Sequence, residues 1–278
     1  MTFNIEDIKN HVLQRIETTE IGTKPFYNLY IENIFPDDFY QLIRDRMLYY
    51  KYNSELQDRN WDNPSFMNKK FSLRDINDYE IQVVREVFDD YAIKNSLMSK
   101  FYYGNYTDEI SFNHDLQFVF TGKDKFQKIH TDIPAQFISV NFYIPESELT
   151  EQEKLDNGTI LYDKELKPCK ISKFVANSVS FIAPHFYSYH GFNTTIENRN
   201  TLLFFYAQKD LIKRFYDNSK NQNGEQDPDK FKDIIQWKIS KYRLIEYGND
   251  DLEFLTKLLR EKTDCKVDTL NGRIEGQS

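Results

Sequence analysis

The chain has 278 residues, of which 40% are hydrophobic and 16% aromatic, and its formal net charge is −8. This apolar content is enough for a sizeable core and excludes a wholly disordered chain. The negative charge argues against duplex DNA or RNA as a partner, because phosphate binding requires a concentrated basic face and the lysines and arginines are scattered.

The sequence gives no sign of membrane insertion or secretion. No apolar segment approaches the roughly eighteen continuous residues of a membrane span. The N-terminus lacks the basic region and the apolar run of a signal peptide. The two cysteines, Cys169 and Cys265, are predicted to be free thiols in a reducing compartment. We therefore expect a cytoplasmic protein without membrane contact.

Residues 1–108 are predicted to support a catalytic core with helices and one strand. Apolar residues recur at helical spacing in two stretches, Ile5, Ile8, Val12 and Ile16, then Ile81, Val84, Phe88 and Tyr91. Pro36-Asp37-Asp38 predicts another helix start, because proline fits the first turn and acids suit the positive end of the helix dipole. Phe26 to Ile31 is predicted to be a strand, and residues 51–77 to be polar and irregular.

From Ile110 the hydrophobic period changes to two, which is typical of strands. One strand is predicted to carry Ile110, Phe112, His114, Leu116, Phe118 and Phe120 on one face. Others are predicted at Phe137 to Ile144, Thr159 to Tyr162, Lys170 to Val175, Val179 to Ile182 and Arg199 to Ala207. This spacing favours a sandwich or jelly roll over alternating β and α units. Residues 146–156 are expected to form an acidic surface excursion, and residues 209–278 a helical extension with a frayed end.

Two histidines and one aspartate form the most informative pattern. His130 and Asp132 can face one site, because residues i and i+2 of an extended segment point to the same side. His190 is distant in sequence, as expected if a second strand delivers it. Two imidazoles and one carboxylate bind Fe(II) on one face and leave other coordination positions free. Arg199 and Thr201 are again an i, i+2 pair in a predicted strand.

The order His-x-Asp, distal His-Gly, Arg-x-Thr resembles the iron(II)/2-oxoglutarate-dependent dioxygenases, in the broad group that includes the prolyl-4-hydroxylase-like enzymes. The matching stretch runs from about Ile110 to Gln208. Within it, Asn157 to Tyr162 resembles the family's Gly-rich turn and strand, and Phe181 to Pro184 resembles the strand and turn that lead into the distal His. The resemblance implies a double-stranded β-helix (jelly roll) over residues 109–208, flanked by N-terminal and C-terminal helices.

The resemblance also implies roles for the five motif residues. His130, Asp132 and His190 would be the catalytic Fe(II) ligands, with 2-oxoglutarate and O2 as co-substrates. Arg199 would bind the distal carboxylate of 2-oxoglutarate through a two-pronged, charge-assisted contact, and Thr201 could donate its hydroxyl to the same group. The carboxylate of Asp132 favours hydroxylation over halogenation, since the related halogenases lack it. Without the resemblance, His130 and Asp132 could also be a simple hydrogen-bonded pair.

Two positions depart from the prolyl-hydroxylase pattern. That branch usually has a Lys where this chain has Arg199, and a Tyr where this chain has Lys128. Arginine still suits the co-substrate, because other branches use an Arg-x-Ser/Thr pair, but the departures argue against protein prolyl residues as the substrate. Lys128, at i−2 from His130, would point into the same pocket if the strand continues, and would contact 2-oxoglutarate or an acidic substrate group. Alternatively, it extends to solvent.

Further residues are candidates for the pocket wall or for packing. Gln117, Asn141 and Tyr143 lie on predicted strands and could line the pocket. His185 is interpreted as a loop residue near the site and not as a ligand. His114 shares a face with apolar residues, which favours a packed role.

The sequence therefore predicts an Fe(II)- and 2-oxoglutarate-dependent dioxygenase. The expected substrate is a small polar metabolite, amino-acid-like or sugar-like, hydroxylated at an unactivated C–H bond with release of succinate and CO2. A peptidyl hydroxylase is the second choice within this class. Two other classes stay open, a jelly-roll binding module without oxidative activity and a cupin-type metal-dependent lyase or isomerase. The C-terminal helices could form a lid or the contact of a homodimer.

Overall fold

A computed structural model gives the structure of the protein. It describes residues 3–53, 60–63, 68–103, 110–112, 116–132, 136–185, 187–208, 244, 267–268 and 273–274. Most of the predicted C-terminal helical extension lies outside the described residues, as do His114 and Cys265. The three predicted segments, residues 1–108, 109–208 and 209–278, therefore stay predictions.

Five helices lie in the described part of the chain. They are α1 (Ile5–Thr18), α2 (Asp37–Tyr52), α3 (Tyr79–Asp89), α4 (Tyr91–Phe101) and α5 (Glu151–Asp156). The helix predicted over Ile81 to Tyr91 is divided, because the Asp90 side chain accepts hydrogen bonds from the amides of Ala92 and Ile93 and starts α4 there. None of the described helices combines the length and the apolar character needed to span a membrane.

Strands make up most of the remaining described residues. They are β1 (Asn28–Glu32), β2 (Asn60–Asn63), β3 (Asn68–Ser72), β4 (Ile110–Phe112), β5 (Gln117–Thr121), β6 (Phe126–His130), β7 (Gln136–Tyr143), β8 (Thr159–Tyr162), β9 (Pro168–Ser172), β10 (Ser178–Ile182), β11 (His190–Asn193), β12 (Arg199–Gln208), β13 (Val267–Asp268) and β14 (Arg273–Ile274). The predicted mixture of helices and a mainly β core is confirmed.

The strands form two large antiparallel sheets. The larger has the order β1-β10-β7-β12-β5-β3-β2, with β4 also paired to β12, and the smaller has the order β6-β11-β8-β9. Strands β13 and β14 pair with each other. β12 is central to the larger sheet, where it pairs with β7 on one side and with β5 and β4 on the other.

The single strand predicted over residues 110–120 is wrong, because the structure has two strands there. Phe112 lies opposite Tyr206, whereas Gln117 lies opposite Leu203. Phe112 and Gln117 are five positions apart, whereas their partners on β12 are three positions apart. One regular register therefore cannot include both segments. Residues 51–77, predicted to be irregular, include the end of α2 and the β2–β3 hairpin.

The two faces of the larger sheet have different neighbours. Phe142 of β7 stacks on Phe35 with ring centroids 5.3 Å apart, and its ring also lies 5.3 Å from Phe88 of α3 and 5.8 Å from Phe204 of β12. Because side chains alternate along a strand, the neighbour Asn141 points to the other face. An aromatic core therefore covers one face of the sheet and leaves the other for a cavity.

Replacing Phe142 tests this aromatic core. Phe142→Ala should lower the free energy of unfolding by about 3–5 kcal/mol, because the lost ring leaves a cavity among well-packed aromatic side chains. Urea denaturation followed by circular dichroism measures the change. Phe126→Ala is the matched control, since the Phe126 side chain is 40% exposed and should contribute little. Equal losses in the two variants would contradict the assigned core.

Candidate metal centre

Antiparallel pairing brings the two predicted histidine ligands together. His130, the last residue of β6, lies directly opposite His190, the first residue of β11, and their ring centroids are 4.4 Å apart. Asp132 follows two residues after His130. One potential ligand atom from each of the three residues lies within 4.8 Å of those of the other two. The structure thus assembles the group that the sequence pattern predicts, and all three residues are buried.

Backbone carbonyls determine which ring nitrogens carry the protons. Nδ1 of His130 lies 2.8 Å from the carbonyl oxygen of Lys128, and Nδ1 of His190 lies 2.9 Å from that of Ser188. Each Nδ1–H donates to its carbonyl, so a neutral ring in this orientation carries its lone pair on Nε2. Both Nε2 atoms lie 3.6 Å from a carboxylate oxygen of Asp132.

Three electron-pair donors therefore converge in one buried place. Two imidazole lone pairs and a carboxylate that face one another in a buried place are unfavourable unless a proton or a cation lies between them. The hydrogen bonds at Nδ1 are those that usually orient metal-binding histidines. A set of two imidazoles and one carboxylate matches mononuclear Fe(II) sites with free coordination positions. The residues present thus fit a divalent metal.

A β-bulge alters the direction of the side chains that precede His130. His190 lies opposite His130, but Phe192 lies opposite Gln127. Gln127 and His130 are three positions apart on β6, whereas their partners are two positions apart on β11, so β6 contains one extra residue. The extra residue changes the alternation, so Gln127 lines the cavity and Lys128 is exposed. The exposed Lys128 side chain is not among the lining residues, which agrees with the alternative that it extends to solvent. Its backbone, not its ammonium group, serves the site.

Arg199 is a buried cation beside the centre. Only 1% of its surface is exposed, and burial lowers the pKa of its guanidinium to about 10. Nε donates to the carbonyl of Asn157 at 2.8 Å, Nη2 donates to Oγ1 of Thr159 at 3.2 Å, and Cζ lies 3.8 Å from the Phe192 ring centroid. Within the described part of the chain, no carboxylate forms an ion pair with Arg199.

The residues on either side of Arg199 are held by α2. Nζ of Lys51 donates to the side-chain oxygens of Asn198 at 2.7 Å and Asn200 at 3.0 Å. Glu146 accepts hydrogen bonds from both asparagines and pairs with Lys51. This network holds the start of β12, so Arg199 is presented to the cavity by a strand fixed from the opposite side.

One cavity joins two of the three candidate metal ligands, Asp132 and His190, to Arg199. His190 and Phe192 both line it and are two residues apart on β11, which corresponds to roughly 7 Å along a strand. The Arg199 guanidinium lies on the Phe192 ring, so Phe192 connects the arginine end of the cavity to His190. A small dicarboxylate is the kind of ligand that could contact the guanidinium at one end and a metal at the other.

The other predicted pocket residues have different positions. Thr201 and Asn141 line the cavity. Tyr143 does not, but its hydroxyl donates to Oγ1 of Thr159 at 2.6 Å, and its ring centroid lies 5.6 Å from Cζ of Arg199. Gln117 is not among the lining residues. His185 lies in a loop, where its ring packs 4.3 Å from that of Tyr187.

Several lining residues were not identified from the sequence. They include Lys70, Gln127, Ser139, Ser180 and Phe205. Ser139 could have been found, since it precedes Asn141 by two residues on a predicted strand and so faces the same way. Lys70 could not, because the β2–β3 hairpin shows no alternation of apolar and polar residues.

Neither a protein-family model nor a curated protein sequence matches the chain. Solved structures do match it. A prolyl-4-hydroxylase from Pseudomonas putida has a TM-score of 0.51 at 10% identity, over 72% of this chain and 99% of its own. A prolyl hydroxylase from Trichoplax adhaerens, in complex with a hypoxia inducible factor peptide fragment, has 0.50 at 14% identity, over 74% and 91%. One from Phytophthora capsici has 0.50 at 12% identity, over 94% and 95%.

At these identities the similarity establishes a shared fold. The resemblance predicted from the sequence motifs is therefore confirmed at the level of the fold, because those motifs led to the same group of proteins. Function has to be argued from the site itself.

Ligand stabilisation tests the buried cation. Succinate, a small dicarboxylate, should raise the melting temperature of the wild-type protein, because a ligand at a hundred times its Kd stabilises by about 2.7 kcal/mol. Arg199→Met should lose most of this increase, whereas Arg74→Met, at an exposed arginine, should keep it. Differential scanning fluorimetry measures both. An undiminished succinate effect in Arg199→Met would exclude Arg199 as the anion site.

Proposed function

We propose that the protein is an Fe(II)- and 2-oxoglutarate-dependent dioxygenase, built on a double-stranded β-helix (jelly roll). Its substrate is a small polar metabolite, amino-acid-like or sugar-like, which it hydroxylates at an unactivated C–H bond. The observation that carries the proposal is the convergence of two imidazole nitrogens and a carboxylate at a cavity that Asp132, His190 and the buried Arg199 line. The fold shared with prolyl hydroxylases supports it.

His130, Asp132 and His190 would hold Fe(II). With 2-oxoglutarate, the bound iron supplies O2 activation, and the overall reaction converts substrate, 2-oxoglutarate and O2 into hydroxylated substrate, succinate and CO2. One oxygen atom enters succinate and the other enters the substrate. The protein itself orients the reactants, excludes water and supplies the charged groups of the site.

Arg199 would bind the distal carboxylate of 2-oxoglutarate. Since its pKa is about 10, the guanidinium is charged at neutral pH, and a carboxylate offsets the cost of burying that charge. Thr159 accepts hydrogen bonds from Tyr143 and from Arg199, so its own hydroxyl proton can be donated into the cavity. Thr201 adds a second hydroxyl on the same wall. This end of the cavity thus offers a cation and two donors to one carboxylate.

The remaining wall supports a polar primary substrate. Oγ of Ser139 and Oδ1 of Asn141 are buried and have no hydrogen-bond partner among the described residues. Both line the cavity, together with Ser180, which lies opposite Asn141 on β10. Unpartnered buried acceptors cost free energy, so a ligand with hydroxyl or amino donors is favoured here. Phe205 adds an apolar surface to the same cavity.

The two alternatives explain fewer of these features. A binding module without oxidative activity has no need of three converging metal-binding atoms. A cupin-type lyase or isomerase has no need of a buried arginine for a co-substrate. A peptidyl hydroxylase remains the second choice within the dioxygenase class.

Spectroscopy without oxygen tests the site and the co-substrate together. Adding Fe(II) and 2-oxoglutarate to the pure protein should produce a visible metal-to-ligand charge-transfer band. Asp132→Ala and His190→Ala should abolish the band and reduce succinate formation in air on the order of 100-fold or more, because even partners of metal ligands change affinity by 10–100-fold. His11→Ala, on α1, is the control and should keep both. A folded wild-type protein that binds iron but shows no band would overturn the proposal.

A further inference from the structure

The bulge in β6 has a specific result, which is the position of Gln127. In a regular strand the residue at i−2 from His130 would share its face, and that residue is Lys128. The bulge gives this place to the residue at i−3 instead. Bulges near active sites commonly redirect a side chain in this way. The local distortion therefore places an uncharged amide, and not an ammonium group, beside the metal ligands.

Gly191 makes the bulge possible. A Cβ atom at this position would lie 2.8 Å from the carbonyl oxygen of Gln127, 3.4 Å from that of Lys128 and 3.5 Å from the amide nitrogen of Ile129. These are backbone atoms, which cannot move aside like a flexible side chain. The glycine next to His190 is thus required by the close approach of the bulged segment.

The Gln127 amide reaches the nitrogen that a metal would use. Its Nε2 lies 2.9 Å from Nε2 of His130. Since Nδ1 of His130 carries the proton, the amide donates and the imidazole lone pair accepts. Among the described residues, the Gln127 side chain makes no other hydrogen bond. A metal bound to the same lone pair would take the place of the amide proton, and the amide would have to turn to another acceptor.

We propose that Gln127 is a positioning residue of the metal centre. With the metal in place, its amide donates a hydrogen bond to the neighbouring ligand, which is water or a carboxylate oxygen of the co-substrate, and holds that ligand in position. This inference rests on the proposed function, since it requires a metal on His130. It assigns a role in the loaded site to a residue that lies outside the His-x-Asp, His and Arg-x-Thr pattern.

Co(II) binding tests the inference without turnover. Co(II) absorbs visible light according to its ligands, so one titration gives both Kd and a spectrum. Gln127→Leu keeps most of the side-chain volume but removes the hydrogen bond. It should weaken Co(II) binding about 10-fold, the lower end of the effect of residues that support metal ligands, and shift the spectrum. Gln127→Glu places a carboxylate within reach of the metal, so it should tighten binding and shift the spectrum differently.

Gln14→Leu is the matched control, because it makes the same exchange at an exposed position of α1. It should leave Kd and spectrum unchanged, and melting curves should show all variants folded. Wild-type affinity and spectrum in both Gln127 variants would overturn the inference while leaving the proposed function intact. Tighter binding by Gln127→Leu would also overturn it, since the amide would then serve the metal-free protein alone. A wild-type protein that does not bind Co(II) would overturn both.

Discussion

The pairing of β6 with β11 is the constraint on which the site depends. It places His130 opposite His190, and the carbonyls of Lys128 and Ser188 then orient both rings. Two imidazole nitrogens and the carboxylate of Asp132 are thereby held close together. The sheets and their aromatic core fix the backbone that carries these three groups.

Arg199 shows the same use of fold stability for function. A buried guanidinium without a carboxylate partner costs free energy, which its contacts with a carbonyl, a hydroxyl and the Phe192 ring offset in part. The Lys51 and Glu146 network holds the strand from the other side, so Arg199 cannot easily move outward to water. The fold therefore fixes the position of the guanidinium, and an anionic ligand can bind to it there.

The sequence predicted which residues come together better than it predicted their local geometry. The convergence of His130, Asp132 and His190 could be predicted because their residue types and order are rare, and β7, β8, β10 and β12 because their alternation is regular. The β6 bulge could not be predicted, because it depends on pairing with β11, which is distant in sequence. For that reason the alternation of a regular strand points Lys128 toward the pocket and gives no sign of Gln127. Helix α5 did carry a local signal, the capping box of Thr150 and Glu153.

Charge links the two ends of the cavity under the proposed function. A divalent metal would add two positive charges to a cavity that Asp132, Arg199 and Lys70 line, and the 2-oxoglutarate dianion brings two negative charges to it. Without the metal, the keto acid end of the co-substrate would approach the carboxylate of Asp132 and be repelled. Metal should therefore increase the affinity for 2-oxoglutarate, and by linkage 2-oxoglutarate should increase the affinity for metal by the same factor. The absence of an acidic partner for Arg199 among the described residues follows from the same balance, because an internal carboxylate would compete with the co-substrate for the guanidinium.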